Sequence, residues 1–120
     1  MLTNKMSEIK RVGVNTRWSD AVIFQNTAYF VEVANNPEVN FDTQIQEVLA
    51  NIDNTLKKIN SDKNKLLMAT IYLKDIQLIQ QFNTQWDNWL IQGTAPVRAC
   101  VQAQLANPDY QIEIQIIAAI

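Results

Sequence analysis

Two stretches of the chain place apolar residues at every third or fourth position, which is the spacing of one face of a helix. The first stretch begins at Phe41, where Asn40 or Asp42 is suited to cap a helix. The second follows Asp75, another plausible cap, and Gly93 comes after it with the freedom to adopt the positive φ that ends many helices. The stripes are Phe41, Ile45, Val48, Leu49, Ile52, Leu56 and Ile59, then Ile76, Ile79, Phe82, Trp86 and Trp89 or Leu90. We therefore predict two amphipathic helices.

The segments around these helices are rich in β-branched and aromatic residues and predict strands. Two short strands flank the polar turn Gln25-Asn26-Thr27 and predict a hairpin. The predicted strands are 21–24, 28–31, 67–73, about 98–105 and about 110–117. The order is β-β-α-β-α-β-β, which indicates an α+β fold with one sheet and both helices on one of its faces.

This architecture leaves the second face of the sheet without a helix. The positions expected there are rich in Val, Met, Tyr and Ile and carry few charges. An apolar face of that size is typical of a docking surface. We expect an oligomer in which the sheets of several copies meet.

Composition indicates a single domain over residues 1–120, with a mixed, polar lead-in at about residues 1–10 that is either a loosely held strand or a tail. Apolar residues make up 48% and charged residues 18%, so there is no signature of disorder. No apolar run is long enough to span a membrane, and the N-terminus lacks the apolar segment of a signal peptide. We expect a soluble cytoplasmic protein with no membrane partner.

Charge and residue usage exclude several classes of function. A net charge of −2 and a pI near 5.0 argue against a nucleic-acid partner, because such surfaces are usually basic. The chain has no histidine and one cysteine, which removes Ser-His-Asp chemistry, the usual zinc sites and an internal disulfide. We expect no metal site and no cofactor, so catalysis would rely on carboxylate, arginine, backbone groups and water.

Two charged residues stand out on the last two predicted strands. Arg98 offers a planar fork that matches a carboxylate with two hydrogen bonds, although it could also be an ordinary edge-strand cation. Glu113 lies between two isoleucines, where a carboxylate is costly to bury without a partner or a task, although it could simply face solvent. Together they suggest a pocket that holds a small organic acid beside a carboxylate able to handle a proton.

The same residues carry a resemblance to a known family. Ala95-Pro96-Val97-Arg98-Ala99-Cys100-Val101, followed by Ile112-Glu113-Ile114, resembles the C-terminal signature of the RidA (YjgF-like) enamine/imine deaminases. Trp18-Ser19-Asp20-Ala21-Val22 and Asn83 match further family positions, and the likeness runs from about Val14 to Ile120. The sequence is most similar to the YoaB-like branch.

This resemblance implies a homotrimer with the mixed sheet of the chorismate-mutase-like fold and with clefts between subunits. It implies hydrolysis of reactive 2-imino or enamino acids to 2-keto acids and ammonia. Arg98 would clamp the substrate carboxylate, the backbone near Cys100 would bind the imine, and Glu113 would activate water. Asn83 would form a hydrogen bond across a subunit interface. Without the resemblance, Cys100 reads as a buried structural thiol and Asn83 as an exposed helix residue.

Three residues depart from the family pattern. Trp18 replaces a tyrosine, and Val31 and Glu32 stand where a hydroxyl residue and a glycine usually let substrate approach the backbone. A slip of one residue would exchange which of Val31 and Glu32 faces the cleft. We expect a smaller or more acidic pocket. The departures leave open a non-catalytic protein that binds keto acids or amino acids, or a purely structural interaction protein.

Overall fold

The structure is a computed structural model that describes residues 8–120. The first seven residues of the predicted lead-in lie outside the described residues, and the lead-in is followed by a short strand that the sequence pattern did not separate from it. The strands are β1 (Lys10–Val12), β2 (Ala21–Phe24), β3 (Thr27–Val33), β4 (Leu66–Leu73), β5 (Val97–Gln102) and β6 (Ile112–Ala119), and the helices are α1 (Phe41–Lys58) and α2 (Ile79–Trp89).

These strands form one mixed sheet in the order β1-β2-β3-β6-β4-β5. All neighbours are antiparallel except β4 and β5, which run parallel. The predicted α+β class with two helices is therefore confirmed, with β1 added at one edge. The last two strands are adjacent in the sequence but not in the sheet, because β6 inserts between β3 and β4 and leaves β5 at the far edge.

Capping residues begin both helical segments. Asn40 caps α1, since its side-chain oxygen accepts a hydrogen bond of 2.9 Å from the Thr43 amide. Asp75 caps a 3₁₀ turn, Ile76–Leu78, that precedes α2, so the predicted cap lies one turn before the α-helix itself. The prediction for Gly93 is wrong in position. Its φ is +86°, but α2 ends earlier, where Leu90 adopts an extended conformation.

The turn between β2 and β3 confirms the predicted hairpin. Gln25 and Asn26 have φ of 53° and 62°, the left-handed conformations of a two-residue turn that matches strand twist. β3 begins at Thr27 and extends to Val33, two residues beyond its predicted end. β3 thereby places Val31, Glu32 and Val33 beyond Ala21, the first residue of β2.

The helices cover one face of the sheet, where alternate residues of the strands form the core. Ile71, Ile114 and Ile116 are fully buried on this face. On the other face Tyr29, Val31 and Val101 are 44%, 50% and 42% exposed. The expected uncovered apolar face is therefore present, and the oligomer that it suggests stays a prediction. Within the described part of the chain, neither helix is long and apolar enough to cross a membrane.

A buried glutamine anchors the start of β6. The Gln44 side chain is fully buried; its amide nitrogen donates to the Asp109 carbonyl at 3.1 Å, and its oxygen accepts from the Gln111 amide at 2.9 Å. These bonds hold the segment that leads into β6 against α1 although 65 or more residues separate the partners. They thereby fix the position of Glu113.

Candidate functional site

A cavity of about 860 Å³ lies along the end of β3. The ladder between β2 and β3 ends at the pair Val22 and Tyr29, whereas β3 continues to Val33 against β6. Among residues 8–120, residues 31–33 therefore have a strand partner on one side only. Their other edge, which is not covered by β2, faces the cavity. The loop between β1 and β2 forms one wall of this cavity.

The wall of the cavity depends on a glycine and an asparagine. Gly13 has a φ of +65°, and a β-carbon there would lie 2.0 Å from the Asp20 carboxylate, so a larger residue would displace the loop. The Asn15 side chain accepts hydrogen bonds from the amides of Arg17 and Trp18 at 2.8 and 3.1 Å. This turn places Trp18 at the cavity, where 62% of the residue's surface is exposed.

Val31 and Glu32 project to opposite faces of the sheet. Val31 lies half exposed on the uncovered face, whereas Glu32 points towards α1 and its Oε1 accepts a 2.6 Å hydrogen bond from the Thr55 hydroxyl. Burial raises the pKa of Glu32, and the Asp20 carboxylate raises it further; the Thr55 bond and Lys58 lower it. Both residues line the cavity, which extends around the free edge of β3.

Glu113 lies on the uncovered face of β6. Its register partners are Val33 on β3 and Tyr72 on β4, and its side chain is partly buried between them. It lines the same cavity as Trp18. Four of the residues singled out in the sequence, Trp18, Val31, Glu32 and Glu113, are thus brought together.

Arg98 belongs to a second group, at the β5 edge of the sheet. It is paired in register with Ala69, a buried residue, and so faces the helices. Its Nη2 donates a 2.8 Å hydrogen bond to the Asn83 side-chain oxygen. The guanidinium carbon lies 5.6 Å from the ring centroid of Phe82 and 5.9 Å from that of Trp86. An amide and two aromatic rings orient the guanidinium without neutralising its charge.

Cys100 lies two residues after Arg98 on the same face, in register with Ile71. It is partly buried and packs against the core, which agrees with the interpretation as a structural thiol. Burial raises the pKa of the Cys100 thiol more than the neighbouring Arg98 lowers it. The thiol is therefore protonated at neutral pH and is a poor nucleophile.

Asn83, Arg98 and Cys100 do not line the cavity at β3. Strands β6 and β4 separate β3 from β5, and Arg98 and Glu113 project from opposite faces of the sheet. One copy of the chain therefore does not form the expected pocket in which a carboxylate lies beside the arginine. Asn83, expected to bond across an interface, bonds to Arg98 of its own chain.

Comparison with known proteins identifies the family. Residues 8–120 match the family model described as Endoribonuclease L-PSP. The chain is 44% identical over 112 residues to the RutC family protein YoaB of Escherichia coli K12, covering 93% of this chain and 98% of that protein. A RutC family protein of Haemophilus ducreyi is 41% identical over 113 residues, covering 93% and 97%. The chain belongs to the YjgF/RidA family, in its YoaB-like branch.

Solved structures agree with this assignment. A YjgF family member from Neisseria meningitidis superimposes with a TM-score of 0.90 at 37% identity, covering 95% of this chain and 96% of that one. A Rid family protein of unknown function from Yersinia pestis gives a TM-score of 0.81 at 26% identity, covering 89% and 90%. The fold of this YjgF/RidA chain is that of its relatives.

Sequence reasoning missed two groups of residues that shape these sites. Phe82 and Trp86 were predicted only as members of the apolar stripe of a helix, yet their rings also flank Arg98. Thr55 carried no signal, because it is 23 residues from Glu32 and a lone hydroxyl on the polar side of a helix is common. The helical stripe predicted the burial of Phe82 and Trp86, but no local pattern could reveal their contact with β5.

Proposed function

We propose that this YjgF/RidA chain hydrolyses reactive 2-imino or enamino acids to 2-keto acids and ammonia. The observation that carries the proposal is the Arg98 guanidinium, held in place by Asn83, Phe82 and Trp86 with its charge uncompensated by that bond. Such a group favours a small carboxylate, which all substrates of this class contain.

The reaction needs water as its only co-reactant. Glu113 accepts a proton as the water oxygen attacks the carbon of the protonated imine (C=NH₂⁺), and the C=N bond becomes a C–N single bond in a neutral carbinolamine. An enamine substrate first forms this imine by taking up a proton from solvent at its carbon–carbon double bond. The same carboxyl then returns the proton to the nitrogen. The C–N bond breaks, ammonia leaves, and the carbinolamine oxygen becomes the keto oxygen with loss of its proton to solvent. Arg98 binds the substrate carboxylate throughout and positions the carbon for attack.

This mechanism requires more than one copy of the chain. Because Arg98 and Glu113 project from opposite faces of the sheet, we propose that Arg98 of one copy and Glu113 of a neighbouring copy share a cleft. The uncovered apolar face, which includes Tyr29, Val31 and Val101, supports an assembly through the sheets. A homotrimer with three such clefts is the assembly we propose.

A second function is favoured by Val31 and Glu32. A branched side chain and a carboxylate lie beside the free edge of β3, where they narrow the approach to the backbone and add negative charge. A protein with these features could bind keto acids or amino acids without turning over an imine. It would then regulate or protect a partner.

The name of the family model mentions an endoribonuclease, but we do not propose RNA cleavage for this chain. The net charge is −2. Among residues 8–120, three of those that line the cavity at β3 are acidic (Asp20, Glu32 and Glu113) and one is basic (Lys58). Both features oppose the binding of a phosphate backbone.

Ammonia release from freshly generated imino acids tests the proposal. Imines also hydrolyse in buffer, so the rate is measured in excess of the reaction without protein, and calorimetry with pyruvate and 2-ketobutyrate measures binding. The proposal predicts both saturable turnover and keto-acid binding. Binding without turnover would support the second function, and the absence of both would overturn both.

A further inference from the structure

Glu32 is the carboxylate of the cavity whose position is fixed by another side chain. The Thr55 hydroxyl donates to its Oε1 at 2.6 Å, and the residue is half buried between β3 and α1. The bond engages one of the two carboxylate oxygens, each of which has two acceptor sites. A held, half-buried carboxylate at a cavity wall can accept further hydrogen bonds from a ligand with little loss of conformational entropy.

The charges around Glu32 are unusual for a cavity that is to receive an organic acid. Among the described residues that line it, Asp20, Glu32 and Glu113 are acidic and Lys58 is the one basic residue. Lys58 is not among the described hydrogen-bond partners of Glu32, whose carboxylate is hydrogen-bonded to Thr55. A ligand that carries only a carboxylate would be repelled at this wall.

A ligand with a positive group at its far end would remove this conflict. Its carboxylate would bind Arg98, and its ammonium group would meet Glu32. The cavity is also lined by the Trp18 and Tyr110 rings, which attract cations, and by the Asn51 and Asn54 amides, which can accept hydrogen bonds. These neutral groups complement an ammonium group without competing for it.

We propose that Glu32, positioned by Thr55, is a specificity-determining residue that selects small carboxylic acids bearing a second, terminal amino group. This inference rests on the proposed function, and it narrows the substrate class to imino acids that retain a side-chain amine. Such imino acids form when the α-amino group of a diamino acid is oxidised. A reaction of that class would supply the substrate.

Matched, unreactive ligands test the inference without requiring turnover. Calorimetry compares butyrate with 4-aminobutyrate, pentanoate with 5-aminopentanoate, and hexanoate with 6-aminohexanoate. We expect at least one amino acid of this series to bind about tenfold more tightly than its unsubstituted partner, the contribution of one hydrogen bond to a charged group. Equal affinities within all three pairs would overturn the inference and leave the proposed carboxylate site intact. Failure of all six ligands to bind would overturn both.

Variants then assign the preference to Glu32. Glu32→Gln keeps the size of the side chain and an acceptor for Thr55, and it should abolish the amino preference without weakening the unsubstituted acids. The matched control is Glu38→Gln, which removes the same charge from an exposed position outside this cavity and should preserve the preference. An amino preference that survives Glu32→Gln would overturn the inference.

Thr55→Val tests whether the hydrogen bond positions Glu32. The substitution removes the hydroxyl and preserves the shape of the side chain, so the carboxylate remains but loses its orientation. We expect the amino preference to fall several-fold while the unsubstituted acids bind as before. A purely structural role would instead change both ligands of a pair equally, and that result would contradict positioning by Thr55.

Discussion

The cavity at β3 and the Arg98 edge at β5 are built in different ways. At β3 the backbone lies open on one side, the Trp18 ring is largely exposed, and carboxylates predominate. At β5 the guanidinium of Arg98 is held by two aromatic rings and an amide. The two regions are complementary: the cavity at β3 offers an accessible carboxylate, and the β5 edge offers an oriented guanidinium. The comparison indicates that a single copy holds two halves of a site.

The largest effect is expected at the cavity half, from Glu113→Gln. General acid–base groups contribute about 10² to 10⁴ in rate, so ammonia release should fall by roughly a hundredfold or more. Binding of pyruvate, which does not react, should not weaken, because Arg98 remains and a negative charge at the cavity is removed. Steady-state kinetics and calorimetry measure the two quantities. An unchanged turnover rate would show that Glu113 does not handle the proton.

Arg98→Lys should impair the β5 half of the site. The dissociation constant of small carboxylates should rise roughly tenfold or more, which corresponds to a loss of about 1.5–3 kcal/mol of binding free energy. Lysine keeps the charge but loses the planar fork and its stacking on the rings of Phe82 and Trp86. Titration with 2-ketobutyrate measures the change. Arg11→Lys, on the exposed strand β1, is the matched control and should bind normally. If the folded Arg98→Lys variant bound as well as the parent, Arg98 would be a structural residue.

Asn83→Asp sharpens the comparison, because it converts the neutral partner of Arg98 into a carboxylate like those at β3. The new charge would form an ion pair with Arg98 across the present 2.8 Å contact and compete with the ligand. We expect keto-acid affinity to fall several-fold without loss of folding. Asn83→Ser, which adds no charge, is the control for loss of the amide and should have the milder effect on affinity. The reverse ranking would mean that Asn83 acts by orientation alone.

The smallest expected effect is the pH dependence contributed by Glu32. Its pKa in the folded protein is raised above the ordinary value of 4.5, chiefly by burial, so the folded state holds the proton more tightly than the unfolded state. The resulting stability is fully present below pH 4.5 and is lost as the pH rises through the folded-state pKa. The free energy of unfolding of Glu32→Gln, measured relative to that of the parent, should therefore be higher at pH 7 than at pH 4.

Urea unfolding of parent and variant at pH 4 and at pH 7 measures this difference in stability. Any effect of the substitution on the bond with Thr55 that does not depend on pH cancels when the two pH values are compared. Thr55→Val provides a second check. Thr55→Val removes the hydrogen bond that stabilises the ionised carboxylate of Glu32, so the pKa of Glu32 should rise further and the stability of the protein should depend more steeply on pH. A pH-independent difference between parent and Glu32→Gln would show that Glu32 is not desolvated.

Much of the fold could be predicted because its signals are local. The stripe from Phe41 to Ile59 marked α1, and Gln25-Asn26 marked the hairpin turn. The end of α2 was misplaced because Leu90 leaves the helix before Gly93 provides its positive φ. The insertion of β6 between β3 and β4 has no local signal, since strand pairing depends on contacts between distant segments.

The sequence predicted which residues belong to the site, but it did not predict that they form two separate groups at β3 and β5. Period-two alternation placed Arg98 and Cys100 on the same face, as observed. Alternation within β5 cannot show whether Glu113, on β6, lies on the same face of the sheet as Arg98. That depends on how β5 and β6 are each paired in register with β4. The same register settles the position of Val31 and Glu32, which the sequence left open.

The most direct test of the central claim is complementation between two variants. Arg98→Lys retains Glu113, and Glu113→Gln retains Arg98, so mixed assemblies can combine the intact half of each. The two chains are co-refolded in equal amounts, and ammonia release at a substrate concentration well below the parental KM is compared with that of each variant refolded alone. If each cleft takes Arg98 from one copy and Glu113 from the next, random mixing restores about one quarter of the parental activity. A mixture no more active than its components, under conditions in which the refolded parent is active, would contradict a site shared between copies.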